Sequence, residues 1–182
     1  MTTPGLDHEK PTIALIGLRG CGKSVVGSEL ADLLGGECVD TDEFIVDQAG
    51  KSIAAIFAEE GEAGFRSRER EAIRLAAANA PSVIAVGGGA IVDENNVRML
   101  RQVSTLVWLT APAEVLWQRI ASDEASKGYR PPLTDRAGPD EVKHLLDERS
   151  PLYERAADLV IDTGQSTPRA VAKAIATQLN RL

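Results

Sequence analysis

Eight residues constrain this chain more than any others: Gly17-Leu18-Arg19-Gly20-Cys21-Gly22-Lys23-Ser24 fit the pattern G-x-x-x-x-G-K-[ST]. Such a loop works only between a buried strand and the start of a helix, because its N–H groups must converge on an anion. Both flanks are present. The apolar run Thr12-Ile13-Ala14-Leu15-Ile16 precedes it, and Val26, Leu30 and Leu33 follow at helical spacing. Glycines 17, 20 and 22 free the backbone to turn its donors inward, and the helix start adds partial positive charge. In that setting Lys23 reaches the outer phosphates of a nucleotide, and the Ser24 hydroxyl is a ligand for Mg²⁺. A dinucleotide G-x-G-x-x-G is absent, as is the base-reading N-K-x-D of GTP switches. D-x-x-G occurs at Asp47 to Gly50 and Asp135 to Gly138, but neither follows a strand, so both read as helix-end or loop glycines.

Four more short apolar runs recur: Glu37 to Asp40, Ser82 to Val86, Thr105 to Leu109 and Asp158 to Asp162. Unbroken runs of this kind read as strands covered on both faces. Between them lie helical patterns with recognisable starts. Ser52 caps a helix through Ile53, Ile56 and Phe57 that stops near Gly61, Asp93 caps one containing Val97 and Leu100, and Pro112 takes a first helical position before Val115, Leu116 and Ile120. The alternation predicts an α/β protein, a parallel sheet between helical layers, with ligands beyond the carboxyl ends of the strands. Every motif should therefore gather on one edge.

The length of 182 residues and 43% hydrophobic content suit a single domain over residues 11–182, preceded by a polar, aperiodic and flexible leader at 1–10. One polar stretch, Ser122 to Gly138, has no helical stripe and reads as a functional loop. Set against 27 acidic residues, 20 basic ones leave a net charge of −7, which argues against nucleic-acid binding. No apolar run is long enough for a membrane span or a signal peptide, so the expected location is the cytoplasm. Cys21, Cys38, His8 and His144 offer no disulfide framework or metal spacing, and the thiols read as free and buried. Nothing calls for self-association, so a monomer is expected.

A second set of residues suggests what meets the phosphate. Asp40-Thr41-Asp42 ends the second strand, where two carboxylates two residues apart point the same way; one can serve the metal through water and the other accept a hydroxyl proton, although Asp is also a common helix cap. Arg66 precedes Glu69 by three residues, a spacing that orients a guanidinium and equally describes a surface ion pair. Gly87-Gly88-Gly89 closes the third strand, where the backbone approaches something closely.

Together with Arg130-Pro131-Pro132-Leu133 and Arg149-Ser150-Pro151-Leu152-Tyr153, these motifs stand in the order and spacing of shikimate kinases, and the chain resembles that family from Thr12 to about Thr167. The resemblance implies a three-layer α/β/α sandwich around a five-stranded parallel sheet, of the P-loop, nucleoside monophosphate kinase-like kind. Its substrate-binding helices would span about 43–80 and its lid about 122–138. It implies phosphoryl transfer from ATP, with one Mg²⁺, to the 3-hydroxyl of shikimate, a step of aromatic amino-acid biosynthesis. Asp42 then resembles the general base that holds the shikimate hydroxyls, and Asp40 the aspartate acting through the Mg²⁺ hydration shell beside Ser24. Arg66 and Arg149 resemble the arginines that grip the shikimate carboxylate, with Glu69 orienting Arg66. Gly88 and Gly89 stand beside the ring, and Phe57 and Phe65 wall its apolar face. Lys23 and the lid residue Arg130 meet the transferring phosphoryl; Gly20, Cys21, Gly22, Ser24 and Val25 line the nucleotide site; Arg119 and Gln165 flank the base. Three positions depart from the family: Val25 replaces a common Thr, Pro132 replaces a usual Leu, and Ser122 to Gly128 is longer than in compact relatives. A kinase of gluconate or a nucleoside monophosphate would share the cradle, as would a non-catalytic nucleotide-binding module. The module reading predicts damage at Lys23, Ser24, Asp42, Arg66, Arg130 or Arg149, and none is damaged.

Overall fold

A computed structural model describes residues 12–123 and 138–181. The leader at 1–10 and most of the 122–138 loop lie outside them. In chain order the elements are β1 (Thr12–Ile16), α1 (Lys23–Leu34), β2 (Cys38–Asp40), α2 (Thr41–Ala49), α3 (Ile53–Asn79), β3 (Val83–Ala85), a 3₁₀ turn (Ala90–Val92), α4 (Glu94–Val103), β4 (Ser104–Thr110), α5 (Ala113–Ser122), α6 (Pro139–Ala156), β5 (Leu159–Asp162) and α7 (Pro168–Gln178).

All five strands are parallel, in the order β2-β3-β1-β4-β5. Parallel neighbours need crossover connections, and the intervening helices supply them on both faces. Successive side chains of β1 alternate between the two layers so formed. Ile13 and Leu15 pack with Leu30 of α1 and Val171 and Ile175 of α7, whereas Ala14 and Ile16 pack with Ile73 of α3, Leu100 of α4 and Tyr153 of α6. A third, smaller apolar cluster joins α2 to α3 through Ile45, Ile53, Ile56 and Phe65. This is the three-layer sandwich anticipated from the strand and helix alternation.

Coverage on both faces, expected for every strand, holds at the centre and fails at the edges. Residues of β1 and β3 are fully buried, but β2 is half-buried throughout and Val160 of β5 is 48% exposed. An edge strand has a neighbour on one side only, and the helical layers taper there. The expected caps are present at Ser52, whose hydroxyl accepts from Ala55 N at 3.2 Å, and at Asp93, which accepts from Asn95 N. Pro112 is the residue before the helix instead of its first member. Gly50 and Gly138, from the two D-x-x-G matches, both sit at helix ends with positive φ.

The helix that Ser52 starts does break at Gly61 (φ 70°, ψ −177°), yet it resumes at once and runs on to Asn79. Ion pairs brace the kink. Glu60 accepts from Arg68 Nε and Nη2 at 2.8 and 2.9 Å and from Lys51 Nζ at 2.9 Å, joining the loop after α2 to both arms of α3. The Arg68 and Lys51 hydrogen bonds hold the Glu60 carboxyl down at about 2. Because the folded-state value is depressed from 4.5, this stabilisation is present above about pH 4.5 and is lost as pH falls toward 2. Exposed pairs are weak. Glu60→Gln is therefore expected to lower Tm at pH 7 by about 2 °C. In calorimetry at a series of pH values that gap should narrow below pH 4.5; a gap as wide at pH 3 as at pH 7 would rule out the carboxylate charge as its cause.

Candidate active site

The cradle forms where β1 ends. Gly17 has φ 143°, and a Cβ there would run into the Leu109 carbonyl of β4 and come within 2.9 Å of Cys21 Sγ, so the loop packs against the sheet only as glycine. Gly20 and Gly22 also have positive φ, and Gly22 is the residue before α1. Lys23 Nζ donates to the carbonyls of Gly17 (2.8 Å) and Leu18 (3.2 Å), which folds the ammonium back onto the start of the loop. Gly20, Cys21, Gly22, Lys23, Ser24 and Val25 all line one lobe of a cleft, hereafter the donor lobe, with Val25 56% exposed at its rim. At the far wall, Arg119 donates to the Gly20 carbonyl (3.4 Å), to Thr163 Oγ1 (3.0 Å) and to Thr163 O (2.6 Å). Thr163 Oγ1 also lies 3.2 Å from Cys21 O. The guanidinium of Arg119 thus braces the cradle against the loop after β5 while lining the lobe. Gln165 is exposed, and Ser166 and Pro168 line the lobe in its place.

The two aspartates do not share a strand end. β2 stops at Asp40, whose Oδ1 accepts from Asp42 N (2.9 Å) and Glu43 N (3.3 Å) and so starts α2. The capping role that the sequence offered as an alternative is thus real for Asp40. Its other oxygen, Oδ2, takes the Ser24 hydroxyl at 2.5 Å. Asp42 reaches the crevice from the first turn of α2 instead, and is 8% exposed.

Beside the donor lobe lies a second lobe, lined by Phe57, Phe65, Arg66, Gly88, Gly89 and Arg149 among others. Phe57 and Phe65 stack with ring centroids 4.6 Å apart, one on each arm of the kinked α3, and belong to the α2–α3 core as well as to the lobe. Arg66 sits against the Phe65 ring (5.5 Å), donates to Glu69 (2.8 Å) and pairs with Glu62 (3.2 Å). Glu69 is 1% exposed, and burial pushes its carboxyl up, assisted by the charge of Asp42 and opposed by Arg66. The Arg66–Glu69 pair is therefore no ordinary surface ion pair. It is a buried carboxylate holding one guanidinium in place.

Gly87-Gly88-Gly89 lies at the centre of this arrangement, and what its backbone approaches is the rest of the site. A Cβ at Gly87 would come 2.8 Å from Asp42 Oδ1 and 3.0 Å from Glu69 Oε1; one at Gly89 would come 2.7 Å from Arg66 Nη1; and one at Gly88 would face the cradle backbone, 3.4 Å from both Arg19 N and Gly17 O. The Gly87 N–H is held by Thr41 Oγ1 at 3.1 Å.

Asp42, Arg19 and Ile120 line both lobes. Sequence reasoning placed Asp42 there and missed Arg19, Thr41, Trp117, Ile120, Tyr153 and Thr163. Of these Arg19, Thr41 and Tyr153 carried a signal, each lying inside a motif already read, the Gly17-to-Ser24 loop, Asp40-Thr41-Asp42 and Arg149-to-Tyr153; Trp117, Ile120 and Thr163 sit on elements that the fold alone brings to the crevice. Arg130 lies outside the described residues. Among those residues no cluster of three or more His, Cys, Asp or Glu forms an all-protein metal cage. The Ser24–Asp40 oxygen pair suits Mg²⁺, which keeps several waters and binds through one or two protein oxygens plus phosphate. The geometry as a whole fits transfer from a phosphorylated donor in one lobe to an anionic, partly apolar acceptor in the other.

Comparison with known proteins gives the same picture. The family model described as Shikimate kinase matches residues 19–180. A shikimate kinase of Rhodopirellula baltica is 45% identical over 158 residues, which cover 86% of this chain and 84% of the relative. A shikimate kinase 2 of Dickeya chrysanthemi is 43% identical over 166 residues, 91% of this chain and 94% of the relative. A solved shikimate kinase from Acinetobacter baumannii in complex with shikimate superposes with a TM-score of 0.86 at 37% identity over 93% of each chain.

Gly89 permits a direct test of the acceptor lobe. A methyl at this position meets only the far end of the Arg66 side chain, so Gly89→Ala should fold, with Tm within about 3 °C of the parent, while the displaced guanidinium weakens an anionic acceptor roughly tenfold in KM. The KM for ATP should not move; steady-state kinetics showing an unchanged acceptor KM would take Arg66 out of acceptor binding.

Proposed function

This chain belongs to the shikimate kinase family, and we propose on that footing that it transfers the γ-phosphoryl group of ATP to the 3-hydroxyl of shikimate, giving shikimate 3-phosphate and ADP. One observation carries this reading: Asp42 is shared by a lobe built on the phosphate cradle and a lobe walled by stacked phenylalanines and two arginines. A carboxylate in that position touches the hydroxyl that attacks and the phosphoryl that moves.

The steps follow from the residues. Backbone N–H groups of the cradle, the start of α1 and Lys23 bind the phosphates, at the cost of Lys23's bonds to Gly17 O and Leu18 O. Ser24 and Asp40 are the residues that would hold Mg²⁺, whose charge neutralises the outer phosphate oxygens. Arg66, fixed by Glu69, and Arg149 hold the planar shikimate carboxylate, which a guanidinium fork matches in shape. Phe57 and Phe65 cover the ring. The hydroxyl oxygen attacks the γ-phosphorus, its proton passes to the Asp42 carboxylate, and the bond from the γ-phosphorus to the bridging oxygen breaks, leaving ADP. The family resemblance adds Arg130 as a further cation on the transferring group. Both lobes come from one chain, so we read the monomer as a complete catalytic unit. We place it in the cytoplasm, where ATP is supplied and where Cys21 and Cys38, both free, stay reduced; among the described residues no helix is long and apolar enough to cross a membrane.

The deciding experiment is a coupled ADP-release assay with ATP and Mg²⁺, offering shikimate, gluconate and nucleoside monophosphates in turn. Turnover with shikimate alone is expected; turnover with another acceptor and none with shikimate would overturn the assignment. Asp42→Asn should lower kcat by about 10²-fold or more without lowering Tm, since it removes the proton acceptor and keeps the volume. Arg66→Lys should raise KM for shikimate and leave that for ATP unchanged, and equal effects on both would reject the carboxylate grip.

A further inference from the structure

Tyr153 is the largest fully buried side chain of the chain's described residues, 1% exposed, yet it ends in a polar atom. Its ring stacks on Trp108 of β4 (centroids 5.5 Å apart), and its hydroxyl donates to the Gly88 carbonyl at 2.5 Å. Arg149, one helical turn earlier on α6, donates to the same oxygen through Nη1 at 3.4 Å. Two donors from one helix thus converge on one carbonyl of a segment that has no side chains with which to fix itself. Burial pushes the phenol well above its ordinary range, so the proton stays on the oxygen to be donated.

We propose that Tyr153 is a positioning residue for the acceptor: by holding the Gly88 carbonyl it fixes the peptide that joins Gly88 to Gly89 and the guanidinium of Arg149 beside it. The trans peptide turns the Gly89 N–H opposite to the Gly88 carbonyl, so one anchored oxygen sets the direction of a donor that belongs to the acceptor lobe. The same oxygen keeps Arg149 in register with that donor. Gly88 also abuts the cradle backbone at Arg19 and Gly17, so a loose turn would slide against the donor lobe. Tyr153 itself lines neither lobe. It acts only through Gly88 and Arg149.

The inference rests on the shikimate kinase reading above, and the test separates the two. Tyr153→Phe keeps the ring and its stack on Trp108 and removes the hydroxyl, leaving the Gly88 carbonyl short of a donor. The expected result is a rise of roughly tenfold in both the KM and the calorimetric Kd for shikimate, with kcat within about threefold and KM for ATP within about twofold of the parent. Arg149→Lys alone should also raise the shikimate KM, and the double variant should show less than the product of the single effects, because both residues act on one carbonyl. An unchanged shikimate KM, an equal rise for ATP, effects that simply multiply, or a Tyr153→Phe protein unfolded at the assay temperature would each overturn the positioning role. If the parent protein itself fails to phosphorylate shikimate, the functional assignment falls; if the parent is active and the variant matches it, only Tyr153 loses its role.

Discussion

The crevice depends on backbone approaching backbone and charged side chains at distances that a Cβ would forbid. Of the three consecutive glycines after β3, Gly87 lets both Asp42 and Glu69 close in and Gly89 lets Arg66 do so, while Gly88 between them packs against the cradle backbone. Gly17 does the same for the cradle against β4. Such segments are costly, because glycine loses more conformational freedom on ordering than any other residue. The cost is offset by anchors outside the segment: Thr41 on the Gly87 N–H and Tyr153 with Arg149 on the Gly88 carbonyl.

Electrostatics in the acceptor lobe follow from this crowding. A buried Glu69 beside Asp42 would be unfavourable as an isolated pair of acids, and burial does push Glu69 toward protonation. Arg66 and Arg149 oppose that shift. Arg66 is held by its 2.8 Å bond to Glu69 and Arg149 by the Gly88 carbonyl before any acceptor arrives, so part of the ordering cost of two long side chains is met in folding instead of in binding. On the donor side the parallel device is Lys23, held over the loop by the loop's own carbonyls.

The kinked α3 links the two roles of the α2–α3 unit. Gly61 lets the helix change direction so that Phe57 on one arm stacks on Phe65 on the other, and the Lys51–Glu60–Arg68 bridge spans the bend. A straight helix would carry these rings two turns apart along one axis, leaving the lobe without a wall.

Much of this was legible in the sequence. Run length and composition gave all five strands to within two residues at each end, since a strand buried among helices must be apolar throughout, and the loop motif with its flanks placed the cradle. Caps at Ser52 and Asp93 were readable because capping is local chemistry between neighbouring residues. What depends on packing was not: the exposed faces of β2 and β5, the continuation of α3 beyond Gly61, and the helical setting of Asp42, where the Asp40 cap ends the strand two residues early. The spacing of Arg66 and Glu69 allowed a solvated pair or a buried one, and only the layers around them made it buried. Sequence by itself determined which chemical groups this protein owns and which local turns they start, because those are set by neighbours along the chain. Tertiary structure alone decided that Tyr153, Thr163 and Arg119 act on backbone carbonyls far away in sequence, because a contact between distant segments exists only once the sheet order has brought them together.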